Sequence, residues 1–126
     1  MDTSVVLAQL LAEDRRPPAS LWGSPLITSR LTEYETWVRL NGRGLGASHG
    51  EQARELLARL SLIELAPPVL ARALEPFPSP VRTLDALHLA SVVFLRERRL
   101  AVRLATYDLR MRTGAEALGI PIEPLP

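Results

Sequence analysis

The chain has 126 residues and a formal net charge of +1, enough for one domain (residues 1–126) with a single core and no global basic field. It has no cysteine, which excludes disulfides, Cys-ligated zinc and thiol nucleophiles. All 15 basic side chains are arginine, which excludes lysine-dependent mechanisms such as P-loop phosphate binding and Schiff-base chemistry.

The first helix starts at once. Asp2-Thr3-Ser4 leads into Val5, Val6, Leu7, Leu10 and Leu11, a helical spacing that ends near Asp14. Residues 15–24, with Pro17, Pro18 and Gly23, read as a loop. Residues 25–28 form a short strand candidate, and a helix is expected from Ser29 to Leu40. Residues 41–48 hold three glycines and read as a connection before a helix over residues 51–60. Residues 62–65 read as a strand, and Pro67-Pro68 opens a helix to Leu74, because proline is accepted in a first helical turn. After a stiff loop at residues 77–80 comes the most hydrophobic helix, Thr83 to about Leu95, expected to be buried nearly all round. Val102, Leu104 and Thr106 alternate as a strand, residues 109–118 form a helix capped by Gly119, and residues 120–125 give a proline-marked edge strand.

Short strands alternating with helices predict an α/β fold with a short, mostly parallel sheet, whose usual site is the crevice at the carboxyl ends of the strands. No run of 18 apolar residues exists and Met1-Asp2 does not open a signal peptide, so a cytoplasmic protein without a membrane span is expected.

Four acids fall at helix beginnings: Asp2, Glu35, Asp85 and Asp108. Each has an ordinary explanation. Asp85 can face the positive end of its helix behind a Thr83 cap, and Asp2 and Asp108 can be N-caps. Glu35 can close a capping box with Thr32. On a wheel of ~100° per residue, Tyr34, Glu35 and Val38 fall within about 60° of Leu31. That puts Glu35 in the apolar stripe and leaves Glu33 solvated. In a parallel α/β fold, helix beginnings reached from strand ends gather at one edge of the sheet. Four carboxylates held together there call for a cation. Ligands that are all oxygen suit Mg²⁺ or Mn²⁺, and such an ion supports hydrolysis of a phosphodiester.

Asp2-Thr3-Ser4, Leu31-Thr32-x-x-Glu35, the block Arg82-Thr83-Leu84-Asp85-Ala86-Leu87-His88-Leu89-Ala90 and Thr106-Tyr107-Asp108 together resemble the PIN-domain family, and within it the VapC-type toxins of bacterial toxin–antitoxin pairs. The resemblance implies a three-layer α/β/α sandwich and a Mg²⁺-dependent endoribonuclease. It also implies a homodimer held inactive by a cognate VapB-type antitoxin. Position by position it makes Asp2, Glu35, Asp85 and Asp108 the catalytic, metal-binding quartet, with Ser4 and Thr106 as supporting hydroxyls. One departure is visible: the family has a central apolar strand before its first aspartate, and here only Met1 precedes Asp2. That first strand is expected to be truncated, with the natural start upstream. The alternative is a catalytically inactive PIN-like module that binds protein or RNA. A haloacid-dehalogenase phosphatase is rejected, since Ser4 stands where its second acid belongs and its lysine is missing. Arg110 and Arg112, just after Asp108, are candidates to meet RNA phosphates, with a solvated helix face as the ordinary reading. Arg15, Arg16, Arg96, Arg98, Arg99 and Arg103 are weaker candidates, with surface or helix-end charge as the ordinary reading. His88 is expected to be a packed or backbone-bonded core histidine and not a ligand.

Overall fold

The computed structural model describes all 126 residues. Its elements, in order, are α1 (Thr3–Leu11), α2 (Ala19–Trp22), β1 (Ile27–Ser29), α3 (Leu31–Gly42), α4 (Gly46–Ala58), β2 (Ser61–Ile63), α5 (Pro67–Leu74), α6 (Thr83–Glu97) and α7 (Leu109–Ala117). Strands β1 and β2 pair in parallel, Thr28 opposite Leu62, with helices packed around them as an α/β sandwich. One helical layer joins α1, α3 and α4 through Val6, Leu10, Leu40, Ala53, Leu56 and Leu57. The other joins α6 and α7 through Leu89, Met111 and Ala115, closed by Leu104 and Ile120. Val5, Leu21 and Ala105 lie between the two. Gly114 lets α7 approach α6 closely: a Cβ there would stand 2.8 Å from Leu89 Cδ1.

Several expectations need correction. Helix α1 stops at Leu11, where Ala12 turns left-handed (φ 48°), not near Asp14. The loop at residues 15–24 contains the helical turn α2, entered from Pro18. The glycine-rich connection shrinks to residues 43–45, because Gly44 at φ 69° reverses the chain and Leu45 N–H closes on Leu40 O at 2.8 Å. The two C-terminal strands reduce to one parallel bridge, Leu104 with Ile122. Leu104 N–H donates to Pro121 O and Glu123 N–H to Leu104 O, but Pro121 and Pro124 have no N–H with which to lengthen the ladder. Helix α6 is not buried all round. Leu84 is 47% exposed, because α5, α7 and β1 cover only part of the helix circumference.

Helix α3 departs furthest from its pattern. Tyr34 and Val38 are 62% and 71% exposed, while Thr32, Thr36 and Leu40 are fully buried. Burial of the Thr32 hydroxyl is tolerable because it pairs with Thr28 at 2.7 Å, whereas the buried Thr36 hydroxyl has no hydrogen-bond partner.

The first two residues sit between β1 and the Leu104 segment. The Met1 amino group donates to Ile27 O at 2.8 Å, Thr28 Oγ1 donates to Met1 O at 2.8 Å, and Asp2 N–H donates to Ala105 O at 3.2 Å. A cavity of about 300 Å³ opens beside Met1 between the same two walls, lined by Leu26, Ile27, Val102 and Ala105 among others. Burial lowers the pKa of the Met1 amino group, against the opposing effect of the Asp2 charge.

A three- or four-residue apolar extension placed before Met1 is therefore expected to stabilise the protein. It replaces a buried ammonium with a peptide N–H and fills the cavity, worth about 1–3 kcal/mol. Thermal melts of the 126-residue and extended forms check this. Equal or lower stability of the extended form would contradict it.

Candidate active site

Asp2, Glu35, Asp85 and Asp108 line one cavity of about 400 Å³. They reach it from different elements. Asp2 precedes α1, Glu35 stands in α3, Asp85 lies in the first turn of α6, and Asp108 is the N-cap of α7. Glu35 does not form a capping box. It enters from the flank of α3, between the buried threonines and the exposed Tyr34 and Val38. Glu33 turns away and pairs with Arg30 at 2.7 Å.

Each carboxylate is held differently. Asp2 is 3% exposed and accepts from Ser4 Oγ at 2.5 Å through Oδ1 and from Thr106 Oγ1 at 2.7 Å through Oδ2. Ser4 Oγ and Thr106 Oγ1 also serve as acceptors, for Tyr107 N–H at 2.9 Å and Asp108 N–H at 3.0 Å. Both expected supporting hydroxyls therefore connect Asp2 to the turn that carries Asp108. Asp108 Oδ1 accepts from Arg110 N–H at 2.9 Å and Met111 N–H at 3.4 Å, an ordinary N-cap that leaves Oδ2 free of hydrogen bonds. Glu35 Oε1 accepts from His88 Nε2 at 2.6 Å and from Thr3 Oγ1 at 2.7 Å.

The electrostatics follow from this geometry. Burial pushes the Asp2 carboxyl above its ordinary range, against the hydrogen bonds from Ser4 and Thr106. Burial also pushes Glu35 up, but the His88 and Thr3 bonds outweigh it and leave Glu35 below the usual range. Asp85 is raised, first by burial and then by the negative charge of Asp108. Arginine relieves this repulsion only from a distance, through the Arg82 charge acting on Asp85, without a direct ion pair. The paired arginines take Glu33, Glu64, Glu75, Glu116 and Glu123, and none bridges Asp2, Asp85 or Asp108.

The donor set around the cavity is carboxylate oxygen, which fits a hard divalent cation. No three of these acidic and histidine side chains stand close enough together to hold one metal ion as a group. An open set still suits Mg²⁺, which keeps several waters and commonly takes one or two carboxylates from the protein.

The structure also brings to the cavity two side chains that the sequence pattern did not single out, Thr3 and Arg39, and two that it gave lesser roles, His88 and Arg15. Thr3 and His88 tie down Glu35, and Arg15 and Arg39 line the walls. Arg15 Nη1 donates to Tyr107 O at 3.2 Å. The spacing of His88 three residues after Asp85, on one side of α6, was the available signal; the Thr3–Glu35 contact had none. Arg110 and Arg112 do not line the cavity, and Arg112 pairs with Glu116 at 2.9 Å.

The structure is thus a parallel α/β domain with four carboxylates lining one cavity. The PIN domain family matches residues 1–116, and the chain belongs to that family. It is 31% identical to Ribonuclease VapC47 of Mycobacterium tuberculosis (strain CDC 1551 / Oshkosh), over 94% of this chain and 90% of that protein. It is 38% identical to Ribonuclease VapC46 of M. tuberculosis (strain ATCC 25618 / H37Rv), over 78% of this chain and 72% of that one. Ribonuclease VapC35 is 33% identical over 76% of this chain. No solved structure matches at a significant level.

The raised pKa of Asp85 carries a sign for stability. A carboxyl raised in the folded state favours folding below the ordinary carboxylate range and loses that contribution as pH rises through the raised value. At neutral pH the ionised group thus works against the cation-free fold. Asp85→Asn is expected to raise the melting temperature in chelator at pH 7, with the gap closing as pH falls through and below the ordinary carboxylate range. A lower melting temperature at pH 7, or a gap independent of pH, would contradict this.

Proposed function

We propose that this chain is an endoribonuclease toxin of the VapC type, hydrolysing RNA phosphodiester bonds with Mg²⁺, for which Mn²⁺ can substitute. The observation that carries the reading is the cavity lined by Asp2, Glu35, Asp85 and Asp108, with no arginine bridging Asp2, Asp85 or Asp108. Structural ion pairs would explain a lone buried acid, but not four turned toward one cavity with so much arginine elsewhere. The relatives named Ribonuclease VapC support the same reading.

The four carboxylates would hold the cation, which when bound supplies the positive charge that activates water and neutralises the scissile phosphate. The chain's own residues do the positioning. Ser4 and Thr106 hold Asp2 by both oxygens. The Arg110 and Met111 N–H groups hold Asp108 by one. Arg15 and Arg39, at the cavity, are placed to meet phosphate oxygens of the bound strand. Arg110 and Arg112, outside it, would meet phosphates beyond the one that is cut.

The same reading assigns a VapB-type antitoxin as partner, a homodimer as the working form, and the cytoplasm as location. Exposed Tyr34 and Val38 on α3, and Leu70 and Leu74 on α5, are apolar surface of the kind that partners cover. No helix is long and apolar enough to cross a membrane.

In a cleavage assay on single-stranded RNA with Mg²⁺ or Mn²⁺, Asp85→Asn is expected to lose at least about 100-fold in rate while remaining folded. Glu35→Gln should fall likewise and Glu33→Gln should keep its activity, because Glu33 pairs with Arg30 away from the cavity. Excess chelator should abolish wild-type cleavage. Undiminished cleavage by Asp85→Asn or in chelator would refute the reading. Wild type that binds RNA or a partner without cutting would favour the inactive binding module.

A further inference from the structure

We propose that His88 is a positioning residue of the cation site: together with Thr3 it fixes Glu35 by one carboxylate oxygen and thereby presents the other to the cavity. This inference rests on the cation-site reading above. Both donors converge on Oε1, His88 Nε2 at 2.6 Å and Thr3 Oγ1 at 2.7 Å, and Oε2 accepts no hydrogen bond. The asymmetry matters because the last torsion of a glutamate is broad and roughly two-fold. A carboxylate tethered by one bond can swing, and one tethered by two bonds to the same atom cannot exchange its oxygens without breaking both.

His88 suits this task better than a purely packing residue would. It is 5% exposed and lies on α6 one turn beyond Asp85, so a single helix sets the positions of two of the four carboxylates. It lines the acidic cavity on one side and the apolar cavity beside Met1 on the other, in the wall between them. A leucine of similar bulk would satisfy that wall. Only a donor satisfies Glu35, and a neutral imidazole with its proton on Nε2 already supplies one. Groups that orient a metal-binding carboxylate from behind commonly carry about 10–100-fold in metal affinity or activity.

The test compares wild type, His88→Leu, His88→Gln, Thr3→Val and Asp85→Asn. Mn²⁺ affinity without RNA is read by electron paramagnetic resonance, and kcat and KM for RNA are read in parallel. His88→Leu is expected to weaken Mn²⁺ about 10–100-fold and to lower kcat with KM for RNA unchanged. His88→Gln, which keeps a side-chain N–H donor, should recover most of both. Thr3→Val, which removes the other donor at nearly constant volume, should move in the same direction as His88→Leu. It carries the test alone if the leucine variant does not fold. Mn²⁺ affinity within about twofold of wild type in folded His88→Leu, or in Thr3→Val, would overturn the proposal, since about 10-fold or more is required. Asp85→Asn separates the two levels. If it binds Mn²⁺ as tightly as wild type, the cation site itself fails and takes this inference with it. If it loses Mn²⁺ while the His88 and Thr3 variants keep it, only this inference fails.

Discussion

The two hydrogen bonds that the first peptide units make, Met1 to Ile27 and Asp2 to Ala105, are what the rest of the fold depends on. Strand β1 is paired with β2 on its other edge, and the Leu104 segment is held by the stretch around Ile122. Between those two units, Met1 and Asp2 provide the main-chain link. Asp2 then adds a side-chain link, because its carboxylate takes the hydroxyls of Ser4 and Thr106 and so fastens α1 to the turn before α7. The same residue is a structural rivet and a wall of the acidic cavity. Its burial raises its pKa, so at neutral pH the fold bears a cost at the point that joins its halves.

That cost is of the kind that a divalent cation relieves. Burial and the Asp108 charge raise Asp85, while His88 and Thr3 bring Glu35 below its usual range. A set of carboxylates brought together merely for stability would take arginine partners, and this chain has them to spare. Instead the arginines pair with glutamates at the surface or stand at the cavity unpaired with the acids. The tension between stability and function is therefore concentrated in one cavity, where a ligand that binds only the folded state would return the lost stability by mass action.

Much of this was legible in the sequence, for physical reasons that differ by residue. Asp2, Asp85 and Asp108 sit where helices begin, and caps and first turns leave a local signature that chain order alone discloses. Glu35 was identified as a candidate, but by a wrong route: Tyr34 and Val38 of the apolar stripe face solvent, and the buried face carries Thr32 and Thr36 beside Leu40. Hydrophobic periodicity cannot register a buried face that carries threonines. The His88–Glu35 and Thr3–Glu35 contacts join residues far apart in the chain; the spacing of His88 from Asp85 marked its side of α6 but not its partner, and nothing marked Thr3. The sheet was over-read, since alternation at Val102–Thr106 persists even where prolines on the facing segment leave only one bridge. Of the arginines at the cavity, Arg15 was named only among the weaker candidates and Arg39 not at all, because the approach of Arg39 depends on how α1 and α3 pack.

The central claim is that four carboxylates from four parts of the chain form one cation site. Anomalous X-ray diffraction from crystals soaked in Mn²⁺ tests it most directly, because the metal reports its own position. The account predicts a manganese peak inside the cavity, with oxygens of Asp2, Glu35, Asp85 or Asp108 as its protein ligands and Glu35 contributing through Oε2. A saturating soak that leaves the cavity empty, or that puts the metal only at surface carboxylates such as Glu116 or Glu123, would contradict it.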